Sequence, residues 1–501
     1  MSWFTWTDLW MLAPVVIMVT GALITLLVGA MARGAAAGTG MTFLGIGTSV
    51  LAAFVTAFAW SHGGAAVGGA LLTGPFAVFL GLVILAGVAL ALLYSDGYAH
   101  RMGFDVGEYY GLILLAGAGM LYLVAANDLI TLLIAFEIMS LSVYALVAAD
   151  RRRRAASEGA MKYFVLGAFA SGILLYGMAL LYGATGTIYL SDMAGVQAAP
   201  MLKLIGIGLM LIGLAFKVGA VPFHAWVPDA YQGAPASVTG FMAVAVKAAA
   251  FGILVRVLLA SGLLGWHASE TATGASTLAT EHMLLTNVLV VLAIATMVVG
   301  NFLALAQNDL KRLLAYSGIS HTGYVLIGLV AAMVLPAEGV TAVLYYLAAY
   351  TAMTIGAFAV LVVLATGSRD LGPIEDLAGL ARRRPAVALA MTVCLVSLVG
   401  MPPTVGFFGK LWLFRAGLDA GFPGLVILAA VSTMVSIYYY LRPVLVMYAA
   451  APGEAASHRP VPTAGTVVLA AAALATLLIG VAGPTLYDAA RASAEALLSL
   501  G

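Results

Sequence analysis

The chain has 501 residues, of which 63% are hydrophobic and only 9% charged, with a formal net charge of +1. Water-soluble domains carry about 25% charged residues, so composition excludes a soluble fold, and near-neutrality gives no reason to expect nucleic acid or an acidic partner. The single cysteine, Cys394, stands in an apolar run, which argues against disulfides, iron–sulfur ligation and zinc clusters; no glycine-rich nucleotide loop follows a strand-like segment.

The first apolar run, near residues 9–31, is long enough to cross a bilayer and lacks a basic leader and a small-residue cleavage site, so it reads as a retained span. Thirteen more follow, near 41–61, 72–94, 108–126, 128–148, 160–184, 203–231, 236–260, 283–306, 311–334, 338–366, 386–417, 422–448 and 463–487. Only Asn127-Asp128 separates the fourth from the fifth, so the chain must turn sharply there. The expected fold is an all-α polytopic membrane protein of about fourteen transmembrane helices.

Loop charge tests that count. Loops at one end of the alternating spans hold Arg33, Arg101, Arg151 to Arg154, Lys311, Arg312, Arg369, Arg382 to Arg384, Arg442 and Arg459, with Lys162 at a span entrance. The other end has only Lys203, Arg256, Arg415 and Arg491. Basic loops stay cytoplasmic, so both termini are expected to face outward.

The seventh and twelfth segments are irregular. Val218-Gly219-Ala220-Val221-Pro222 interrupts one, and Val399-Gly400-Met401-Pro402-Pro403 interrupts the other. Proline removes an i→i−4 bond and clashes with the preceding turn, so both helices should break within the membrane. The breaks lie five spans apart, an odd offset that reverses orientation. This is the pattern of two inverted five-helix repeats with an ion site at the broken helices. The expected organisation is an N-terminal three-helix segment (1–107), a first repeat of spans four to eight (108–260), an inverted second repeat of spans nine to thirteen (261–450), and span fourteen (451–501).

Four ionisable residues fall inside these apolar runs: Glu137, Lys217, Lys247 and Lys410. A charge at the bilayer centre costs roughly 2.5–3.5 kcal/mol on insertion scales, so one acid and three amines suggest a proton relay. His224 and His321 are weaker candidates, since a buried histidine is as readily structural. No histidine arrangement suggests a metal or haem site. Desolvation disfavours a charged amine and a nearby carboxylate favours it. A Glu137 that approaches and leaves Lys217 therefore changes how tightly the amine holds its proton. A thousandfold change is worth roughly 4 kcal/mol, and moving one charge against about 200 mV costs about 4.6 kcal/mol. The two match, so a movable pair can gate one proton.

Several stretches resemble subunit N of bacterial proton-pumping NADH–quinone oxidoreductase (respiratory complex I), the family of NADH dehydrogenase subunit 2. They are Ala160–Gly172 (AMKYFVLGAFASG) with Leu180–Gly186 (LLYGATG), Val221–Pro235 (VPFHAWVPDAYQGAP), Asn308–Ser317 (NDLKRLLAYS) and Gly400–Lys410 (GMPPTVGFFGK). The resemblance implies an antiporter-like subunit of the membrane arm. It matches the family's fifth-span acid to Glu137, its lysine before the seventh-span break to Lys217, its eighth-span lysine to Lys247 and its twelfth-span lysine to Lys410. It implies that protons pass from the cytoplasm to the central lysines and out past Lys410. It also implies that NADH, FMN, iron–sulfur clusters and quinone sit in partner subunits, with no cofactor or metal in this chain. Gln232 stands where the family often has Glu. Sister subunit M typically carries Glu at the Lys410 position, and subunit L adds a long lateral helix. The alternatives are a subunit of a multi-subunit Na⁺/H⁺ antiporter or ion-pumping hydrogenase, and a membrane-arm spacer that conducts nothing.

Overall fold

The computed structural model describes residues 5–499 apart from 33, 62, 105, 197–198, 265–274, 366–369 and 450–462. Arg33, Arg369 and Arg459, counted above in the basic loops, lie outside the described residues. Thirteen described helices are long and apolar enough to cross a membrane. The twelfth segment is split into Pro385–Val399 and Val405–Asp419, which completes fourteen spans. The eighth (Ala236–Ala260), tenth (Leu310–Ala332) and eleventh (Pro336–Leu364) are the most enclosed, and the first, sixth and fourteenth the least.

Both expected breaks are present and are built alike. Pro200–Val218 ends at Gly219 (φ 74°), and Pro385–Val399 ends at Gly400 (φ 93°), the left-handed region that glycine adopts without steric cost. In each, the glycine N–H bonds back three residues, Gly219 to Phe216 (3.1 Å) and Gly400 to Ser397 (2.9 Å). The next N–H reaches back five, Ala220 to Ala215 (2.8 Å) and Met401 to Val396 (3.2 Å). This is the Schellman arrangement, in which a left-handed residue lets the chain satisfy helix-end carbonyls and turn away. Helix resumes at Val227–Gly233 after the first break and at Val405 after the second.

The fifth and tenth spans start alike as well. Asp128 caps Leu129–Val147 by accepting the Ile130 and Thr131 N–H groups (2.8 and 2.9 Å), and Asp309 caps the tenth span through Arg312 N–H (3.0 Å). Each aspartate follows an asparagine and forms a lone β-bridge, Asp128 with Tyr189 and Asp309 with Pro373. The flanking bonds correspond too: Leu129 N–H to Ile188 and Leu190 N–H to Asn127 on one side, Leu310 N–H to Gly372 and Ile374 N–H to Asn308 on the other.

Contacts between loops follow the alternation of fourteen spans. At one end Tyr98, Arg153, Ala236 and Lys311 converge on Asp370. At the other, Arg256 donates to Leu72 O (2.7 Å), Asn127 to Gly69 O (3.0 Å) and Lys203 to Met193 O (2.8 Å).

Three features depart from the sequence expectation. A two-stranded hairpin, Gly64–Ala66 with Leu71–Thr73, lies between spans two and three. The last span ends at Val481, short of 487, and a separate helix runs over Gly483–Leu498. The eighth span contains a π-helical turn at Met242–Val246, directly before Lys247.

Candidate functional site

The three lysines of the apolar runs are all buried, at 1% exposure for Lys217, 6% for Lys247 and 4% for Lys410. Among the described residues, none of them is held by a carboxylate within ion-pairing distance. Lys217 Nζ donates to Ser140 Oγ on the fifth span (2.8 Å) and lies over the rings of Tyr144, Tyr163 and Phe136, at 4.9, 5.2 and 5.3 Å from their centroids. Lys247 Nζ donates to Gly318 O of the tenth span and lies 5.3 Å from the Tyr350 ring. Lys410 Nζ donates to Val399 O (2.8 Å), a carbonyl exposed by the second break, and lies 4.7 Å from the Tyr324 ring. Each ammonium is thus solvated by a neutral oxygen and an aromatic face, which attracts cations through its quadrupole.

The tenth span threads these positions together. Thr322 Oγ donates to Val218 O at the first break (2.8 Å) and to Gly318 O (3.2 Å), the carbonyl that Lys247 also uses. Thr322 stands midway along its span, and Ser140 stands midway along the fifth, so the break and Lys217 are at mid-depth. One turn from Gly318, His321 bonds through Nδ1 to Tyr346 and through Nε2 to Tyr440 (2.9 Å), and Tyr440 bonds to Ser317. The His321 ring lies 5.1 Å from Tyr350 and 5.7 Å from Tyr324, the two rings under Lys247 and Lys410. A continuous polar and aromatic line therefore joins these two amines, and the charges of both act on His321.

Glu137 lies one turn from Ser140 on the fifth span. Its charge acts on Lys217, but the two side chains form no ion pair within 4.0 Å. Its Oε1 is buried without a hydrogen-bond partner, and beside it Ile134, Ile138 and Leu141 face outward from the chain. His224 sits within the first break, its Nδ1 buried and without a hydrogen-bond partner, apart from the hydrogen bonds that join the lysines. Gln232 bonds Arg312 (3.1 Å) beside an Arg312–Asp229 pair (2.7 Å) and a Lys162–Asp229 pair (2.8 Å).

Sequence reasoning missed Ser140, Tyr346, Tyr350 and Tyr440, and read Thr322 and Tyr324 only as part of a small polar run around His321 able to hold a water chain. A further signal was the repetition of tyrosine at Tyr346 and Tyr350, and at Tyr439 and Tyr440, within apolar helices. Four-residue spacing places the first two on one face.

Fourteen spans with two like-capped breaks and buried amines along the midline define the antiporter-like class of membrane subunits. The family described as NADH:quinone oxidoreductase/Mrp antiporter, TM, matches residues 126–436. NADH-quinone oxidoreductase subunit N of Trichlorobacter lovleyi is 41% identical over 411 residues, 80% of each chain. Subunit N of Thiobacillus denitrificans is 39% identical over 459 residues, 89% of this chain and 90% of its own. A chain of respiratory complex I from Thermus thermophilus with bound aureothin superposes at TM-score 0.78 with 33% identity, covering 95% of this chain and 98% of that one. The chain belongs to the NADH-quinone oxidoreductase subunit N family.

Proposed function

We propose that this chain is a proton-translocating membrane-arm subunit of an NADH–quinone oxidoreductase, working beside other membrane-arm subunits in a bacterial inner membrane. NADH, FMN, iron–sulfur clusters and quinone belong to its partners in this reading. Protons enter from the basic-loop end, load Lys217 and Lys247, pass along the His321 line and leave from Lys410. Glu137 modulates Lys217. Spans four to eight and nine to thirteen act as two inverted repeats. The matching caps at Asp128 and Asp309, and at Gly219 and Gly400, support that division.

One contrast carries the proposal. Lys311 is as buried as the relay lysines, yet it is locked to Asp370 at 2.9 Å. Breaking a buried ion pair strands a charge and is strongly unfavourable, so such a lysine is a poor carrier. Lys217, Lys247 and Lys410 rest on neutral oxygens and give up a proton without breaking an ion pair.

The test is proton pumping driven by NADH in sealed vesicles holding the assembled complex. Lys217→Ala should lower pumping about tenfold or more while the complex still assembles. Unchanged pumping would favour the spacer reading, and a requirement for sodium would favour the antiporter-type alternative.

A further inference from the structure

The sixth-span block Ala160–Gly172 supplies none of the titratable groups of the relay, yet its buried face, Tyr163 included, lies against the Lys217 site. Tyr163, Gly167 and Ser171 follow at four-residue spacing along that helix, so they share one face. Tyr163 stacks on Trp226 of the first break (3.9 Å, 6° between planes) and closes the cage over Lys217. It also meets Tyr144 edge-on at 4.5 Å. Gly167 leaves a notch for the Tyr144 hydroxyl, and any Cβ there would collide with that oxygen.

The cage has two hydroxyl-bearing side chains on the fifth span that face Lys217, and they differ in one respect. Ser140 accepts from Lys217, but its own proton is committed to Phe136 O (2.6 Å), so it is a dead end for transfer. Tyr144 is 6% exposed, and its hydroxyl is buried with no well-formed hydrogen bond, only a loose contact to Ser140. Glu137 and Tyr144 are seven residues apart on one helix, hence on one face, and Glu137 Oε1 is unpartnered. Buried polar groups are normally satisfied. A loosely held hydroxyl over the amine and an unpartnered carboxylate oxygen on the same helix face mark a place where a proton is exchanged.

We propose that Tyr144, seated over Gly167, passes the proton that Lys217 and Glu137 exchange. The inference rests on the relay reading and refines it. One proton leaves Lys217 Nζ for the Tyr144 oxygen, directly or over one water, as the hydroxyl proton passes to the Glu137 carboxylate. The ammonium becomes an amine, the carboxylate an acid, and the tyrosine ends as it began.

Tyr144→Phe keeps the ring under Lys217 and removes only the hydroxyl. Measured in vesicles with the assembled complex, it should lower pumping about tenfold or more and move the pH profile of coupled NADH oxidation by about one unit. Gly167→Ala keeps the tyrosine but pushes its hydroxyl and ring edge off their seat and should give the same profile. The double variant should be no worse than either single one, as expected for one shared function. Wild-type pumping with an unmoved pH profile in Tyr144→Phe overturns the proposal, as does a lower rate with an unmoved profile, which marks a packing effect. If Lys217→Ala blocks pumping while Tyr144→Phe does not, the exchange through tyrosine falls and the relay stands. If neither blocks it, both fall.

Discussion

A buried lysine that faces a carbonyl and one that faces a carboxylate are different devices, and this chain contains both. The sequence made Lys217, Lys247, Lys410 and Glu137 legible because a charge in an apolar run has no inexpensive explanation. It left the roles of Ser140 and Thr322 illegible for an equally physical reason. A hydroxyl in an apolar helix usually bonds the carbonyl four residues back, as Thr25 and Ser95 do here. Ser140 and Thr322 make that same bond as well as their contacts to other spans. Nothing along one chain separates the two cases. Glu137→Gln preserves shape and removes charge. It should leave assembly intact and reduce NADH-driven pumping about tenfold, with Glu137→Asp retaining more of it. Equal pumping in Glu137→Gln and the parent complex would mean that the charge is idle. His321→Ala should both slow pumping and destabilise, because it strands the Tyr346 hydroxyl and leaves Tyr440 only Ser317 as a partner. A stranded buried group costs about 1–3 kcal/mol. A lowered melting temperature of the purified complex checks the second effect independently of the first.

Among elements, the breaks were readable because glycine admits the left-handed backbone and proline cannot continue a helix, both local effects of residue type. The π-helical turn at Met242–Val246 was not, since its residues are as compatible with α-helix as their neighbours, and tertiary contact decides. The helix Gly483–Leu498 was partly merged with the last span because Leu486 and Tyr487 prolong its apolar run beyond the turn at Ala482. The two break glycines allow a paired test. A left-handed conformation costs an L-residue roughly 1–2 kcal/mol, so Gly219→Ala and Gly400→Ala should both lower the melting temperature of the assembled complex. They should differ in function. A Cβ at Gly400 would press on Lys410 Cδ at 3.0 Å, whereas one at Gly219 would meet Val227 Cγ2 at 2.9 Å. Pumping should therefore fall further in Gly400→Ala than stability alone explains. Equal losses of pumping at equal losses of stability would remove Lys410 placement from the account.

At the scale of the whole molecule, the alternation of loop charge anticipated which loops meet, but not what holds them. Asp370 does much of that at the basic end. Its oxygens take Tyr98 Oη (2.6 Å), Lys311 Nζ (2.9 Å) and Ala236 N–H (3.2 Å), so one carboxylate binds the loops after spans three, seven, nine and eleven. Lys311 and Asp370 are 2% and 3% exposed. Removing one partner of a buried pair costs about 3–5 kcal/mol, whereas replacing both with apolar groups is often neutral. Asp370→Asn should accordingly destabilise the membrane domain severely, read as a lower melting temperature and reduced assembly. Adding Lys311→Met to it should recover part of the loss, but only part. Tyr98 and Ala236 N–H also lean on the carboxylate, and an asparagine side chain offers them one acceptor oxygen in place of two. A double variant as unstable as the single one would mean that the ion pair is incidental and the hydrogen bonds from Tyr98 and Ala236 hold the loops together.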